Sequence, residues 1–412
     1  MLGSSIATVV LALLAATPAL SITVPLQKRD LGIKNADGSV NMEGLHNEAS
    51  RMTKKYERNR KNWRWNAFHE GENPARGSKR RATLVLQEPE TSVWTGKISV
   101  GSPAQTMDIY FDSGSSDFTV ASTSCPNSIC GTKHRYNPDS SSTAVKTSRT
   151  ITTNFVDGTS SSGLLVEDTV AAAGLTATGQ DIIAASSLSS TVAGLAADGM
   201  GLAYPALSQA FSASFPFTLY NQGQGGRPQW FALSLRSSGT SQITFGGYNR
   251  ARTNGNIRWY NVKLEDTAQF RTYWQIGASA AYINGVQATS PRVNMILDSG
   301  TTLIIAPPNA ATSFWAQVPG AQKYDATFWS YPCDTPPNVA FSFARITLQM
   351  YNVDAYDFNL GYLEEDPTRC IGAVIGQNLG LGTSWLLGDA FMMNWYVIHD
   401  VANNRIGLGV NR

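Results

Sequence analysis

The sequence predicts an all-β protein built as two lobes. Three observations point that way. At 412 residues the chain exceeds what one hydrophobic core ordinarily organises, so two units are expected on length alone. From Ala82 onward it breaks into short strand-like runs separated by Gly, Ser, Pro and Asn, the pattern of strands joined by turns. One such run also occurs twice. Ile109-Tyr110-Phe111-Asp112-Ser113-Gly114-Ser115-Ser116 returns as Met295-Ile296-Leu297-Asp298-Ser299-Gly300-Thr301-Thr302, with the two aspartates 186 residues apart.

Each copy is an apolar run ending in one carboxylate, then a small hydroxyl residue, a glycine and two more hydroxyls. An acid at the tip of a buried strand is costly unless it is hydrogen-bonded. The glycine allows a tight turn, and amides and hydroxyls of that turn can donate to the carboxylate. A single Asp-Ser-Gly is an ordinary turn sequence. Duplication behind matching apolar runs points instead to a pair of acids, one from each lobe. On these residues the chain resembles the pepsin-type aspartic proteases, whose two Asp-Thr/Ser-Gly motifs face each other across a pseudo-twofold axis. The likeness extends over roughly residues 82–412 and implies a bilobal pepsin-like fold with a substrate cleft between the lobes.

In chain order, Ile6 to Leu20 is an apolar run closing on Ala19-Leu20-Ser21, which reads as a signal peptide over residues 1–21. It is too short for a membrane span, and no later stretch is long and apolar enough to be one. Entry to the secretory pathway is therefore expected, with secretion or an acidic vacuole as destination. Four cysteines suit an oxidising compartment. No Asn-x-Ser/Thr sequon occurs.

The whole chain carries 32 basic and 30 acidic residues, a balance that suggests neither a nucleic-acid partner nor a membrane surface. The distribution is uneven. Residues 22–81 hold 14 Lys and Arg against 7 Asp and Glu, whereas residues 82–412 hold 18 against 23. A helix is predicted where Arg51, Lys54, Lys55, Arg58, Arg60, Lys61 and Arg64 crowd together, ending near Trp63 and Trp65. A charge run of this kind can simply face water. Here Lys79-Arg80-Arg81, a processing site directly before strand-like sequence, favours an inhibitory propeptide over 22–81 whose cations lie in an acidic cleft. Low pH is the expected release trigger. Which cation approaches the acids is not legible from sequence.

The first lobe is assigned to 82–255 and the second to 256–412. Trp94-Thr95-Gly96-Lys97-Ile98-Ser99-Val100-Gly101-Ser102-Pro103-Ala104-Gln105 resembles the family hairpin that precedes the first acid. The Ser-rich stretch Ile151 to Gly163 resembles the flap that closes over bound peptide, with Phe155, Asp157 and Gly158 as substrate-contacting residues. Phe155 stands where the family has tyrosine, and Thr119 where it has that tyrosine's tryptophan partner, so one flap hydrogen bond is missing. Asp198-Gly199-Met200-Gly201 and Trp385-Leu386-Leu387-Gly388 resemble the glycine-bearing strands that pass close behind each acid loop. Four cysteines allow three pairings. The resemblance favours Cys125 with Cys130 and Cys333 with Cys370, each bridge inside one lobe. Asp389 and Asp400 lie in turn contexts and are read as structural.

The implied chemistry is peptide hydrolysis without metal or cofactor, by a monomer acting on protein or peptide. Asp112 and Asp298 share one proton, as facing carboxylates cannot both ionise easily. One takes a proton from a water while the other donates to the scissile carbonyl. Ser113 and Ser299 are expected to tie the loops together, with Gly114, Ser115, Gly300 and Thr301 supporting the acids. The resemblance to pepsin places the working range at roughly pH 3 to 5. No Gly-x-Ser-x-Gly elbow or His-Glu-x-x-His helix is present. Two rivals remain at this stage: a glycosidase with paired carboxylates, and a catalytically weakened pepsin-like protein that binds peptides without cutting them.

Overall fold

The computed structural model describes residues 23–30, 32–66, 82–85, 92–131, 134–154, 160–188, 198–224, 229–264, 270–344 and 349–412. The predicted signal peptide, the Lys79-Arg80-Arg81 site and the flap residues Phe155, Asp157 and Gly158 lie outside them. The fold is all-β, as the sequence predicts, and Met42–Asn66 is the one long helix among the described residues.

Around each acid the strands repeat one arrangement. Gln105–Asp112 pairs in parallel with Asp198–Gly201, which runs antiparallel to Phe118–Ala121, itself parallel to Leu175–Ser187. In the second half, Val293–Leu297 pairs in parallel with Trp385–Leu387, which runs antiparallel to Ile304–Ala306, itself parallel to Val374–Gly376. The predicted repeat therefore extends from eight residues to four strands. Ile304–Ala306, Val374–Gly376 and Trp385–Leu387 are buried at every residue, which explains why they read as apolar runs without alternation. Behind each acid loop a glycine makes room. A Cβ on Gly201 would lie 2.4 Å from the Ser116 backbone, and one on Gly388 would lie 2.1 Å from the Thr301 carbonyl oxygen.

The halves meet in one 14-stranded sheet. The closing strands Trp395–Asp400 and Arg405–Val410 pair with each other, and Trp395–Asp400 also pairs with Trp230–Ser234. At the centre of this sheet lies Thr23–Asp30, between Ser241–Phe245 and Ser92–Val100, with Val24 and Leu26 buried. The sequence reading assigned no strand there. Its two-residue alternation is short and Pro25 interrupts it. Both disulfides form as expected, Cys125 with Cys130 and Cys333 with Cys370. Asp400 caps the turn at Asn403 and is held by Arg405, a structural role.

His399, on Trp395–Asp400, is fully buried, stacked on Phe231 with ring centroids 4.2 Å apart and set edge-on to Trp274. Burial disfavours the imidazolium and lowers the pKa to about 3. The unfolded chain takes up this proton near pH 6.5 and the folded chain does not. Stability is thus complete above that pH and falls by about 1.4 kcal/mol per unit as pH drops toward 3. His399→Phe is expected to remove this slope, read as a urea midpoint that rises relative to the parent's as pH falls from 6.5 to 4.

Candidate active site

Asp112 ends strand Gln105–Asp112, and Asp298 directly follows Val293–Leu297. Each carboxylate is held by its own loop in the same way. Asp112 Oδ1 accepts from the Gly114 N–H at 2.9 Å and Oδ2 from Ser115 Oγ at 2.7 Å. Asp298 Oδ1 accepts from the Gly300 N–H at 2.9 Å and Oδ2 from Thr301 Oγ1 at 2.6 Å.

The two loops are tied across the axis by the predicted hydroxyls. Ser113 Oγ donates to the Leu297 carbonyl at 3.1 Å and accepts from the Ser299 N–H at 2.9 Å. Ser299 Oγ donates to the Phe111 carbonyl at 2.9 Å and accepts from the Ser113 N–H at 3.1 Å. Each hydroxyl thus acts once as donor and once as acceptor, a use only Ser or Thr can fill at this size. The glycines matter for a reason other than the tight turn the sequence suggested. A Cβ on Gly114 would sit 2.4 Å from Asp298 Cγ, and one on Gly300 would sit 2.3 Å from Asp112 Oδ1. Each glycine makes space for the opposite acid.

Both carboxylates converge on one atom. Lys55 Nζ, from helix Met42–Asn66, donates to Asp112 Oδ1 at 2.6 Å and to Asp298 Oδ1 and Oδ2 at 2.9 and 2.7 Å. Tyr56 Oη donates to Asp298 Oδ2 at 2.8 Å, and Asn59 Nδ2 to the Gly114 carbonyl at 2.6 Å. Lys55, Asp112 and Asp298 are all buried. Burial pushes both carboxyls up, but the Lys55 ammonium overrides it at Asp112, whose pKa lies well below the usual carboxylate range. Asp298 is raised, by burial and by the Asp112 charge acting against Lys55. Lys55 is raised as well, because the two acids outweigh the burial that would discharge it. The Lys55 ammonium thus lies between two buried acids whose pKa values are pushed apart, Asp112 down and Asp298 up.

The helix grips the second loop too. Arg51 pairs with Glu48 and donates to the Gly300 carbonyl at 2.9 Å, while Glu48 accepts from the Thr302 N–H at 3.3 Å. Asn62 and Asn66 donate to the Leu207 and Ala206 carbonyls. Sequence reasoning listed Lys55 among seven cations and missed Tyr56 and Asn59. The available signal was the spacing of Glu48, Met52, Lys55, Asn59 and Asn62, which places these residues on one helical face.

Two cavities flank the acids. One is lined by Tyr110, Ser115, Asp117, Thr119, Ile183 and Asp198, together with Arg58 of the helix. The other, about 530 Å³, is lined by Trp63 of the helix with Tyr273, Gln275, Asn294, Ile296 and Leu381. Thr119 lines the first cavity. The strands flanking the flap tip pair as an antiparallel hairpin, Asn154 opposite Ser160.

Comparison with known proteins agrees with this geometry. Residues 93–410 match the family model described as eukaryotic aspartyl protease. The chain is 33% identical over 349 residues to an aspartic protease of Phaffia rhodozyma, covering 82% of each chain. It is 31% identical to pepsin II-1 of Oryctolagus cuniculus, over 79% of this chain and 83% of that one. It is also similar to major aspartyl peptidase 1 of Cryptococcus neoformans var. grubii, 28% identical over 78% of this chain and 70% of the relative.

Proposed function

We propose that this chain, which belongs to the eukaryotic aspartyl protease family and is an aspartic-type endopeptidase, is made as a zymogen and cuts peptide bonds at acid pH with Asp112 and Asp298. The observation that carries the reading is that both carboxylates lie within 2.7 Å of one point, now filled by Lys55 Nζ. A water at that point would reach both acids. The ionised acid of the pair takes its proton and the protonated one donates to the scissile carbonyl, which yields a tetrahedral diol.

Residues 22–81 act as the propeptide on this reading. The helix covers the acids with an ammonium and a tyrosine, and the entry strand anchors it in the sheet. Residues 82–255 and 256–412 are the two lobes, joined through that sheet. Segment 1–21 directs secretion, with an acidic vacuole as the other destination for the same leader. Among the described residues no helix is long and apolar enough to cross a membrane. Ser113, Ser115, Ser299 and Thr301 orient the acids, and Phe155, Asp157 and Gly158 contact peptide from the flap. The missing flap hydroxyl favours the weakened peptide binder as second reading, while both complete acid loops favour catalysis. A pepstatin-type inhibitor separates them: acid hydrolysis of denatured protein that it abolishes supports the peptidase, and peptide binding without hydrolysis supports the binder.

A further inference from the structure

The second lobe also holds the covering helix through a side chain outside the acid loops. Gln377 directly follows strand Val374–Gly376, which pairs with Ile304–Ala306, and its backbone N–H donates to the Ala306 carbonyl at 2.8 Å. Gly376 before it lies against Trp329, where a Cβ would sit 2.9 Å from the ring. From this fixed base the carboxamide reaches the helix. Gln377 Nε2 donates to the Ala49 carbonyl at 2.8 Å and also to Thr53 Oγ1, while Thr53 Oγ1 donates to the Ala49 carbonyl at 3.3 Å. A carbonyl oxygen can only accept, so the amide must turn its NH2 toward the helix. Its Oε1 is buried and has no partner among the described residues.

Thr53 comes two residues before Lys55, about 3 Å along the helix axis, so Gln377 works in the same cleft as the acids. Met52, next to Thr53, meets Thr301 Oγ1 of the second acid loop. We infer that Gln377 is a specificity-determining residue of the open enzyme, which reads a hydroxyl on the substrate as it reads Thr53 on the helix. Peptides carrying Ser or Thr at one position near the cut bond are then preferred over those carrying Ala or Val there. The inference rests on the peptidase reading above. Once the helix leaves, both N–H groups of the carboxamide lose their acceptors. A bound peptide offers a main-chain carbonyl in place of Ala49 and a side-chain hydroxyl in place of Thr53. A hydroxyl accepts from Nε2 and keeps a hydrogen to donate, as Thr53 donates to Ala49. Valine has the shape of threonine, covers the amide equally and accepts nothing, so a desolvated N–H goes unpaired. A site built to hydrogen-bond a group rejects the analogue lacking it more strongly than an apolar pocket separates side chains by size.

The test uses activated enzyme and a peptide series in which Thr or Val is placed at one position at a time, within about three residues of the cut bond on either side. At one position Thr is expected to exceed Val in kcat/KM by at least about fivefold, the size of one hydrogen bond between neutral groups. In Gln377→Met, which keeps the length and loses the NH2, the ratio at that position is expected to fall to within about twofold. The ratio is taken within one preparation, so partial misfolding does not move it. Where Gln377→Met yields no folded enzyme, the same contact is read from the precursor. With Lys79, Arg80 and Arg81 replaced by Ser, Thr53→Val is expected to raise hydrolysis of a fluorogenic peptide at pH 5 about fivefold over the matched parent precursor. A parent enzyme with no Thr preference at any position, a Gln377→Met enzyme that keeps the preference, or a Thr53→Val precursor as slow as its parent overturns the assignment. Cleavage of the Thr and Val peptides at equal rates removes the role of Gln377 and leaves the peptidase reading intact. A preparation that cuts neither peptide overturns both.

Discussion

Asp112→Asn and Asp298→Asn are each expected to reduce kcat/KM at acid pH by roughly a thousandfold, within the range that positioned acid–base groups supply. The substitution keeps shape and removes ionisation. In each loop one oxygen accepts from a glycine N–H and the other from a hydroxyl. An asparagine can keep its oxygen on the amide and turn its NH2 toward Ser115 or Thr301, whose hydroxyl then accepts instead of donating. The fold is therefore expected to persist, with a thermal midpoint close to the parent's, while the shared proton is lost. A folded variant retaining more than about a tenth of the parent activity would eliminate the two-acid mechanism.

The second large effect concerns the precursor. In the closed form Lys55 holds Asp112 well below the usual carboxylate range. A depressed carboxylate pKa stabilises the closed form at pH above the acid's open-state value, roughly 4, and that contribution disappears as pH falls through and below it. Acid is thus expected to release the helix. Lys55→Met leaves two buried acids without their cation, and breaking such a pair costs about 3 to 5 kcal/mol. With Lys79, Arg80 and Arg81 replaced by Ser to block processing, the Lys55→Met precursor is expected to cut a fluorogenic peptide at pH 5 about a hundredfold faster than the matched parent precursor. Equal rates would mean that Lys55 does not hold the cleft shut.

The local chemistry of this protein was legible residue by residue. Strand, carboxylate, hydroxyl and glycine are adjacent in each motif, so the loop that holds Asp112 could be read directly, and its copy identified Asp298. Hydroxyls at 113 and 299 were expected as ties through the resemblance to the pepsin-type family, and the structure pairs each with the opposite loop. The strand Thr23–Asp30 was not readable, because four residues of alternation around a proline carry little signal. Its place is set by partners more than 60 residues away, Thr95 and Ser241 to Thr244.

What the sequence alone determined is the inventory: two acids on duplicated loops, a basic segment ahead of an acidic body, and four cysteines. What the tertiary structure decided is which members of that inventory meet. Seven cations crowd one helix, yet its rotation about its own axis points Lys55 at both carboxylates and Arg58 at the neighbouring cavity. Sequence spacing gives the face of a helix but not the direction that face looks. That direction comes from contacts spanning 57 and 243 residues, through which two desolvated acids and one ammonium compensate one another.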